Sequence, residues 1–160
     1  MNEIVNWAAS AQQIDGTLWR ISVTADIDPE YHIYDTAEYE YGANPTVITF
    51  EGEGFELSGD LQIECEVKQE YDDILEFSVG TISGKALFTQ DVQLLGKSAD
   101  VQVNVEWMAC TSTSCTPPDD TSLEVHLGSS TNWYGLGIAC GIITALLAVA
   151  LGAYLFKKKK

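Results

Sequence analysis

The sequence predicts an all-β domain of antiparallel strands followed by a single apolar helix that crosses a membrane. Three observations lead to this prediction. Apolar and polar residues alternate in several short segments, glycines separate these segments, and residues 135–156 carry no charge. A chain of 160 residues with 46% apolar and 20% charged residues is long enough for one domain with a core.

The strand prediction rests on a repeat of two residues, which turns one face of a strand to the core and the other to water. The clearest apolar positions are Trp19, Ile21, Val23, Ala25 and Ile27, and then Val101, Val103, Val105 and Trp107. Residues 46–50, 86–94 and 123–127 alternate in the same way. Glycines, including the Gly59-Asp60 pair, separate the segments, and no soluble helix is indicated. This pattern is typical of an antiparallel β-sandwich of immunoglobulin-like size.

We predict four consecutive parts: a β-sandwich domain over residues 1–127, a linker over 128–132, a transmembrane helix over 133–156 and a basic tail over 157–160. The uncharged stretch would span about 33 Å as a helix, which is enough to cross a bilayer. Trp133 and Tyr154 lie at its two ends, and the lysine tail marks the cytoplasmic side. The alternative is a buried core helix, but such helices seldom end in four lysines.

The amino terminus lacks the basic start and apolar core of an export signal. Two expectations stay open: the sequence is a processed or trimmed piece of a longer membrane protein, or it is a stand-alone anchored domain whose signal was removed. The chain has 24 acidic residues but only 8 Lys and Arg, and four of these 8 form the tail. So acidic a domain disfavours nucleic acid and anionic lipid surfaces, whereas a protein partner with a basic or neutral face is compatible with it.

Cys110 and Cys115 are the main candidates for chemistry. Four small residues separate them and Thr116-Pro117-Pro118 follows, so the sequence predicts a reachable, exposed disulfide at the end of the strand over residues 101–108. Closing so small a loop contributes roughly 2 kcal/mol to the stability of the folded state. The disulfide would therefore stabilise the fold only weakly, which suits a bond that opens and closes. The alternative from spacing alone is a structural disulfide that pins a hairpin in an exported protein.

Other chemistries have little support in the sequence. A zinc site would need ligands beyond two thiols, and the histidines are only His32 and His126. No glycine-rich phosphate loop, Ser-His-Asp arrangement or Ca²⁺ loop is recognisable. We therefore expect neither a metal nor a cofactor.

A family resemblance extends this reading over roughly residues 5–127. It is carried by Asn6-Trp7, Tyr31-His32-Ile33-Tyr34, Asn44-Pro45-Thr46, Phe88-Thr89-Gln90, and Trp107-Met108-Ala109-Cys110 to Cys115-Thr116-Pro117-Pro118. Together these segments resemble the amino-terminal domain of the thiol:disulfide interchange protein DsbD. The resemblance implies an immunoglobulin-like fold and a domain in the periplasm. The single span predicted from the sequence would then anchor this domain in the bacterial inner membrane.

The resemblance also implies a function. Such a domain belongs to a protein-disulfide reductase and passes electrons from a membrane-embedded donor domain to periplasmic thioredoxin-like proteins, among them a disulfide isomerase and a cytochrome c maturation factor. The alternative function is a membrane-anchored, immunoglobulin-like binding or assembly domain with a purely structural disulfide.

The resemblance assigns roles by position. Cys115 would form mixed disulfides with partners, Cys110 would resolve them, and Tyr31 and Tyr34 match aromatics beside the cysteines. A cap loop that shields the pair is best matched by Tyr71-Asp72-Asp73-Ile74-Leu75. Asp72, Asp73 and Leu75 are then shielding or supporting residues, although Ile74 and Leu75 stand where the family often has Phe. The alternative is that Tyr31, Tyr34 and Leu75 are ordinary packing residues.

The acidic residues near the two cysteines predict that the reduced pair reacts slowly in the absence of a docked partner. The sequence places Glu106, Asp119 and Asp120 around the two cysteines, and acidic neighbours favour the neutral thiol. We therefore expect the reduced pair to react slowly with small disulfides and quickly only with a docked partner. Cys65 has no counterpart in the family and is expected to be a buried or free thiol. Cys140 lies in the predicted span and is expected to act as a small apolar residue.

Overall fold

The computed structural model describes residues 4–39, 43–72 and 76–128, except for the side chain of Asp72. These ranges contain eleven strands and no helix. The strands are β1 Val5–Asp15, β2 Leu18–Ile27, β3 His32–Tyr34, β4 Val47–Glu51, β5 Phe55–Ile63, β6 Lys68–Asp72, β7 Phe77–Ile82, β8 Lys85–Leu94, β9 Ser98–Trp107, β10 Ala109–Cys110 and β11 Asp119–Gly128. The prediction of an all-β fold is confirmed, and the arrangement is consistent with an immunoglobulin-like sandwich.

The strands form three antiparallel sheets. The first has the order β1-β2-β8-β5, the second β10-β3-β7-β6 and the third β11-β9-β4. Strands that follow one another in sequence, such as β1 and β2, pair along nearly their whole length. Longer connections bring β2 beside β8 and β4 beside β9.

One main core lies where the inward faces of the three sheets meet. The alternating residues predicted from the sequence supply most of it: Ile21 and Val23 in the first sheet, and Val101, Val103 and Val105 in the third, are fully buried. Ile33 and Ile82 close the core from the second sheet. Burial of such aliphatic side chains is the main term that holds the sheets together.

The second sheet has a different environment on each face. Ile33, Ile82 and Ala109 are partners in the register of β10, β3 and β7, and all three pack into the main core. The alternate residues of the same strands point away from that core. Three of them, Tyr34, Val79 and Cys110, form a small separate hydrophobic cluster together with Ala43 and Met108. Tyr39 and Phe77 flank this cluster. Cys110 therefore lies outside the main core while still being buried.

Two details differ from the sequence prediction. The Gly59-Asp60 pair does not separate two strands, because it lies inside β5 at a shift of register between Ser58 and Gln62. Gly59 has a φ of 77°, which glycine adopts without strain, and such a bulge bends a strand without ending it. In addition, β11 begins at Asp119, directly after Pro118, rather than near Leu123.

The predicted linker over 128–132 begins at Gly128, the last residue of β11. The predicted transmembrane helix over 133–156 and the tail over 157–160 lie outside the described residues. Within residues 4–39, 43–72 and 76–128, no helix is long and apolar enough to cross a membrane.

Candidate functional site

Cys110 and Cys115 form a disulfide across a very short hairpin. Their Cα atoms are 3.9 Å apart and the sulfurs 2.04 Å apart. The two residues face each other in an antiparallel bridge. Backbone hydrogen bonds flank this bridge, from Thr111 N–H to the Ser114 carbonyl at 2.7 Å and from Thr116 N–H to the Ala109 carbonyl at 2.8 Å. The predicted disulfide is therefore present at the end of β10.

Thr111 holds the turn of this hairpin. Its hydroxyl oxygen accepts hydrogen bonds from the backbone N–H groups of Thr113, at 3.3 Å, and Ser114, at 3.1 Å. Side-chain oxygens that bind nearby backbone N–H groups stabilise tight turns, which is why small hydroxyl residues suit this segment. The turn residues Ser112, Thr113 and Ser114 are exposed. The hairpin thus presents a small, polar surface around the disulfide.

The two sulfur-bearing residues differ sharply in their exposure. Cys110 is only 1% exposed, whereas Cys115 lies open at the surface. The sequence prediction of an exposed disulfide is therefore correct for Cys115 and wrong for Cys110. The reason is that Cys110 still belongs to β10 and packs into the small cluster behind the second sheet, while Cys115 follows the turn.

Tyr34 and His32 are the aromatic neighbours of the buried cysteine. The Tyr34 hydroxyl lies 3.6 Å from the Sγ of Cys110. Because a disulfide sulfur carries no hydrogen, the hydroxyl is the donor in this contact. His32 is the residue directly opposite Cys110 in the pairing of β3 with β10. Its ring meets the ring of Tyr34 edge-on, with a centroid distance of 5.9 Å.

A buried carboxylate, that of Asp35, is bonded to Tyr39 at the edge of the same cluster. Asp35 is 8% exposed, and its Oδ1 accepts hydrogen bonds from the Tyr39 hydroxyl at 2.5 Å and the Ala37 N–H at 3.0 Å. The Tyr39 oxygen in turn accepts a bond from the Gly80 N–H at 2.7 Å. Burial and the bond to Asp35 raise the pKa of Tyr39 to about 12. A Cβ at Gly80 would overlap the Asp35 carboxylate, so the close contact requires glycine.

Contacts between aromatic rings connect Asp35 and Tyr39 to Cys110. Tyr39 stacks on Phe77 at 5.9 Å between ring centroids and meets Tyr34 edge-on at 6.3 Å. The Thr46 hydroxyl donates to the Tyr34 carbonyl at 2.6 Å. The backbone and the ring of Tyr34 are therefore both held, which fixes the position of its hydroxyl against Cys110.

Two of the described cations form ion pairs within the first sheet. Arg20 forms an ion pair with Asp91 and Lys85 one with Asp26, and all four residues belong to the first sheet. The hydrogen bond and charge of Asp91 raise the pKa of Arg20, and Arg20 lowers the pKa of Asp91 for the same reason. Both pairs link β2 to β8 in the first sheet, whereas Cys110 lies in the second sheet.

A shallow cleft of about 500 Å³ opens beside the residues that follow Cys115. Its lining includes Trp7, Trp107, Thr116, Pro117 and Pro118. The two indole rings pack together with a centroid distance of 5.4 Å. Polar residues, among them Asn6, Asp119 and Asp120, also line the cleft, so the surface beside the disulfide hairpin is mixed in character.

The other residues singled out from the sequence are placed as follows. Tyr31 packs against the main core and not in the cluster around Cys110. Asp73 and Leu75 lie outside the described residues, as does the side chain of Asp72, whose backbone ends β6. Cys65 is a partly buried, free thiol, as expected. Cys140 lies outside the described residues.

Sequence reasoning missed the roles of Asp35 and Tyr39. Both stand in a connection without periodicity, so no pattern marked them for burial. From the sequence, His32 was noted only as part of a segment that resembles the family and as a weak candidate for a zinc ligand. Within the described ranges, no group of three or more His, Cys, Asp or Glu side chains is arranged to hold a metal ion.

Comparisons with known proteins give matches in structure only. No family model matches the chain, and no curated protein matches it in sequence. Similar solved structures include the reduced amino-terminal domain of DsbD from Neisseria meningitidis, with 13% identity, a TM-score of 0.45, and coverage of 68% of this chain and 78% of that one. The family to which the sequence was likened is thus among the structural neighbours.

Two further neighbours are the amino-terminal periplasmic domain of ScsB from Proteus mirabilis and the GAE domain of GGA2p from Saccharomyces cerevisiae. The ScsB domain has 13% identity and a TM-score of 0.49, and the match covers 75% of this chain. This chain spans 44% of the length of the ScsB chain. The GAE domain has 9% identity and a TM-score of 0.41, with coverage of 76% of this chain and 88% of that one.

Proposed function

We propose that this domain is a thiol-disulfide exchange module that works through the reversible bond between Cys110 and Cys115. The observation that carries the proposal is the unequal burial of the two residues, with Cys110 at 1% exposure and Cys115 at the surface. An exchange reaction needs one sulfur that a partner can reach and a second thiol that resolves the mixed disulfide, and burial of the second sulfur directs partners to the first. This pair meets both needs within one hairpin.

The proposed reaction has two steps in the direction of partner reduction. The thiolate of Cys115 attacks one sulfur of a partner disulfide, a bond forms between Cys115 and the partner, and the other partner sulfur leaves as a thiolate. The thiolate of Cys110 then attacks the Sγ of Cys115. The Cys110–Cys115 disulfide forms, and the first partner sulfur leaves as the second thiolate. Two electrons have passed to the partner.

The reverse steps reload the domain. A donor thiolate attacks the Sγ of Cys115, and Cys110 leaves as a thiolate beside the Tyr34 hydroxyl. The second donor thiolate then attacks the donor sulfur of this mixed disulfide, Cys115 leaves as a thiolate, and the donor is left with a disulfide. A donor hydroxyl near a departing thiolate stabilises it by a charge-assisted hydrogen bond. This arrangement supports Cys110 as the leaving sulfur and Cys115 as the one that contacts partners.

The partners follow from the family resemblance of the sequence. We propose that electrons come from a membrane-embedded domain and go to periplasmic thioredoxin-like proteins, such as a disulfide isomerase and a cytochrome c maturation factor. In this proposal the domain lies in the periplasm of a bacterium and residues 133–156 anchor it in the inner membrane. Tyr34 supports the active pair, and the segment around Asp72, Asp73 and Leu75 shields it.

The test is electron transfer by the purified chain. The reduced chain should reduce an oxidised thioredoxin-like protein with a stoichiometry of one disulfide per chain, and Cys115→Ala should abolish the transfer. A matched Cys65→Ala variant should leave it unchanged, because Cys65 is a separate free thiol. Equal rates with the protein partner and with a small aromatic disulfide would argue against a shielded pair. No transfer to any thioredoxin-like protein would overturn the proposal.

A further inference from the structure

The burial of Cys110 creates a requirement that the exchange reaction alone does not meet. Cys110 must lose a proton before it attacks Cys115, and it must regain one after it leaves as a thiolate. At 1% exposure it trades this proton with bulk water only slowly at neutral pH. A thiolate in apolar surroundings is also disfavoured, so a nearby group has to take the proton.

The strand register places His32 next to this thiol. Cys110 is the direct partner of His32 in the β3–β10 pair and the direct partner of Cys115 in the hairpin. Directly opposed residues of antiparallel strands share one face, with Cβ atoms about 4.5–5.5 Å apart. His32, Cys110 and Cys115 therefore form one row across the sheet, with the buried thiol in the middle.

The ring contacts confirm that the imidazole lies on the face that carries Cys110. His32 meets Tyr34 edge-on at 5.9 Å, and the hydroxyl of Tyr34 lies 3.6 Å from the sulfur. His32 is only partly buried, whereas Tyr34 is 4% exposed. Of these two neighbours, His32 is the one that reaches from the buried sulfur toward solvent.

Other titratable groups on this face are less suited to the task. Among the described residues they are Tyr34, Tyr39, Lys68, Glu70 and Cys115, with Asp35 behind Tyr39. The Cys115 sulfur carries no ionisable proton while it holds the partner, and the Asp35 carboxylate is bound to the Tyr39 hydroxyl. Phenols ordinarily ionise near pH 10, so the two tyrosines hold their protons at neutral pH. Lys68 and Glu70 lie on β6, two strands from β3, which is about 9–10 Å away. Imidazole is the side chain that ordinarily exchanges a proton near neutral pH.

We propose that His32 takes the proton from the thiol of Cys110 when this residue resolves the mixed disulfide on Cys115, and returns it when Cys110 leaves as a thiolate. The inference rests on the proposed exchange function and adds a residue to it. In resolution, the proton moves from the Cys110 sulfur to the imidazole and the thiolate attacks the Sγ of Cys115. The Cys110–Cys115 bond forms, and the partner sulfur departs with the electron pair of the broken bond.

The test isolates the resolution step. In the full chain carrying Cys65→Ala and Cys140→Ala, an activated glutathione disulfide is used at pH 4 to place glutathione on Cys115. A jump to pH 7 starts resolution, and acid quenching with mass spectrometry follows the loss of glutathione. His32→Gln should slow this loss about 100-fold, the usual size of a general-base contribution. The slowing should shrink as the pH rises, because hydroxide then ionises the thiol.

The matched control is His126→Gln. His126 pairs with Asp100 at 2.6 Å in the third sheet, so its replacement should leave the release rate within about twofold of the parent chain. In His32→Ala, added imidazole should restore part of the rate, which a purely structural role of His32 would not allow. Release at the parent rate in His32→Gln, or slowing that neither pH nor imidazole relieves, would overturn the inference.

A measurement that keeps His32 in place guards against variants that fail to fold. In His126→Gln the remaining imidazole is observed by NMR, and its titration midpoint should differ between the disulfide and dithiol states. An unchanged midpoint would contradict the proposed proton exchange. The two proposals fail differently: a parent chain that never releases glutathione overturns the exchange function, whereas normal release in His32→Gln overturns only the role of His32.

Discussion

The hydroxyl of Tyr34 lies 3.6 Å from the Sγ of Cys110, the buried half of a surface disulfide. Two further contacts hold Tyr34 in this position. The Thr46 hydroxyl binds the Tyr34 carbonyl, and Tyr39 meets the Tyr34 ring edge-on. A hydrogen-bond donor is therefore held beside the sulfur that would carry negative charge each time the disulfide is opened.

The first prediction concerns this donor. Tyr34→Phe removes the hydroxyl and keeps the ring, so we expect reduction of the disulfide by a protein dithiol to slow about fivefold, equivalent to a hydrogen bond of about 1 kcal/mol. Stopped-flow kinetics at constant donor concentration measures the rate. Tyr31→Phe is the matched control, because Tyr31 packs against the main core. Equal slowing in both variants would contradict the role of the Tyr34 hydroxyl.

The second prediction separates the roles of the two cysteines. Cys110→Ala removes the resolving thiol, so a partner attacked by Cys115 should remain attached as a stable mixed disulfide. Cys115→Ala leaves only the buried Cys110, which a partner cannot reach, and should trap little. Non-reducing electrophoresis and mass spectrometry after mixing with an oxidised thioredoxin-like protein give the yields. Failure of Cys110→Ala to trap any partner would overturn the assignment.

The third prediction uses the raised pKa of Tyr39, which lies at about 12 in the folded protein. Unfolded tyrosine ionises near pH 10, so the folded state holds this proton more tightly. The resulting stability is fully present below pH 10 and is lost as the pH rises toward 12. Urea unfolding at pH 8 to 11.5 should show a gap between the parent chain and Tyr39→Phe that narrows above pH 10.

At pH 8 that gap should be about 1–3 kcal/mol, because Tyr39→Phe removes a donor from the buried Asp35 and an acceptor from the Gly80 N–H. Tyr71→Phe is the control, since Tyr71 is 63% exposed. Its stability should stay within about 0.5 kcal/mol of the parent chain. A gap for Tyr39→Phe that is constant up to pH 11.5 would contradict this account of the buried pair.

Much of the fold could be predicted because burial leaves a direct trace in the sequence. Val101, Val103 and Val105 alternate with polar residues, and all three are fully buried in the structure. The first strand was not predicted as a strand, since its inward residues Ala9 and Ala11 are small and only half-buried, and the exposed Ala8 breaks the apolar–polar alternation of the sequence. The Gly59-Asp60 pair was misplaced because a glycine inside a bulge and one in a turn leave the same local trace.

The site was predicted in part for similar reasons. Two cysteines with four residues between them and prolines after them indicated a short loop, and the disulfide is present there. Local spacing carries no information about the packing that hides Cys110 and leaves Cys115 open. The pairing of His32 with Cys110 and the bond between Asp35 and Tyr39 depend on tertiary register and loop path, which no repeat in the sequence encodes.

The central claim, that the Cys110–Cys115 bond opens and closes in function, is tested most directly by its equilibrium reduction potential. The chain is equilibrated in thiol redox buffers of graded potential, and the fraction of reduced pair is counted by alkylation and mass spectrometry. We expect a midpoint within the range of exchange proteins, above about −300 mV. A midpoint far below about −300 mV, where the glutathione pool cannot reduce the bond, would mark it as a fixed structural bridge and contradict the account.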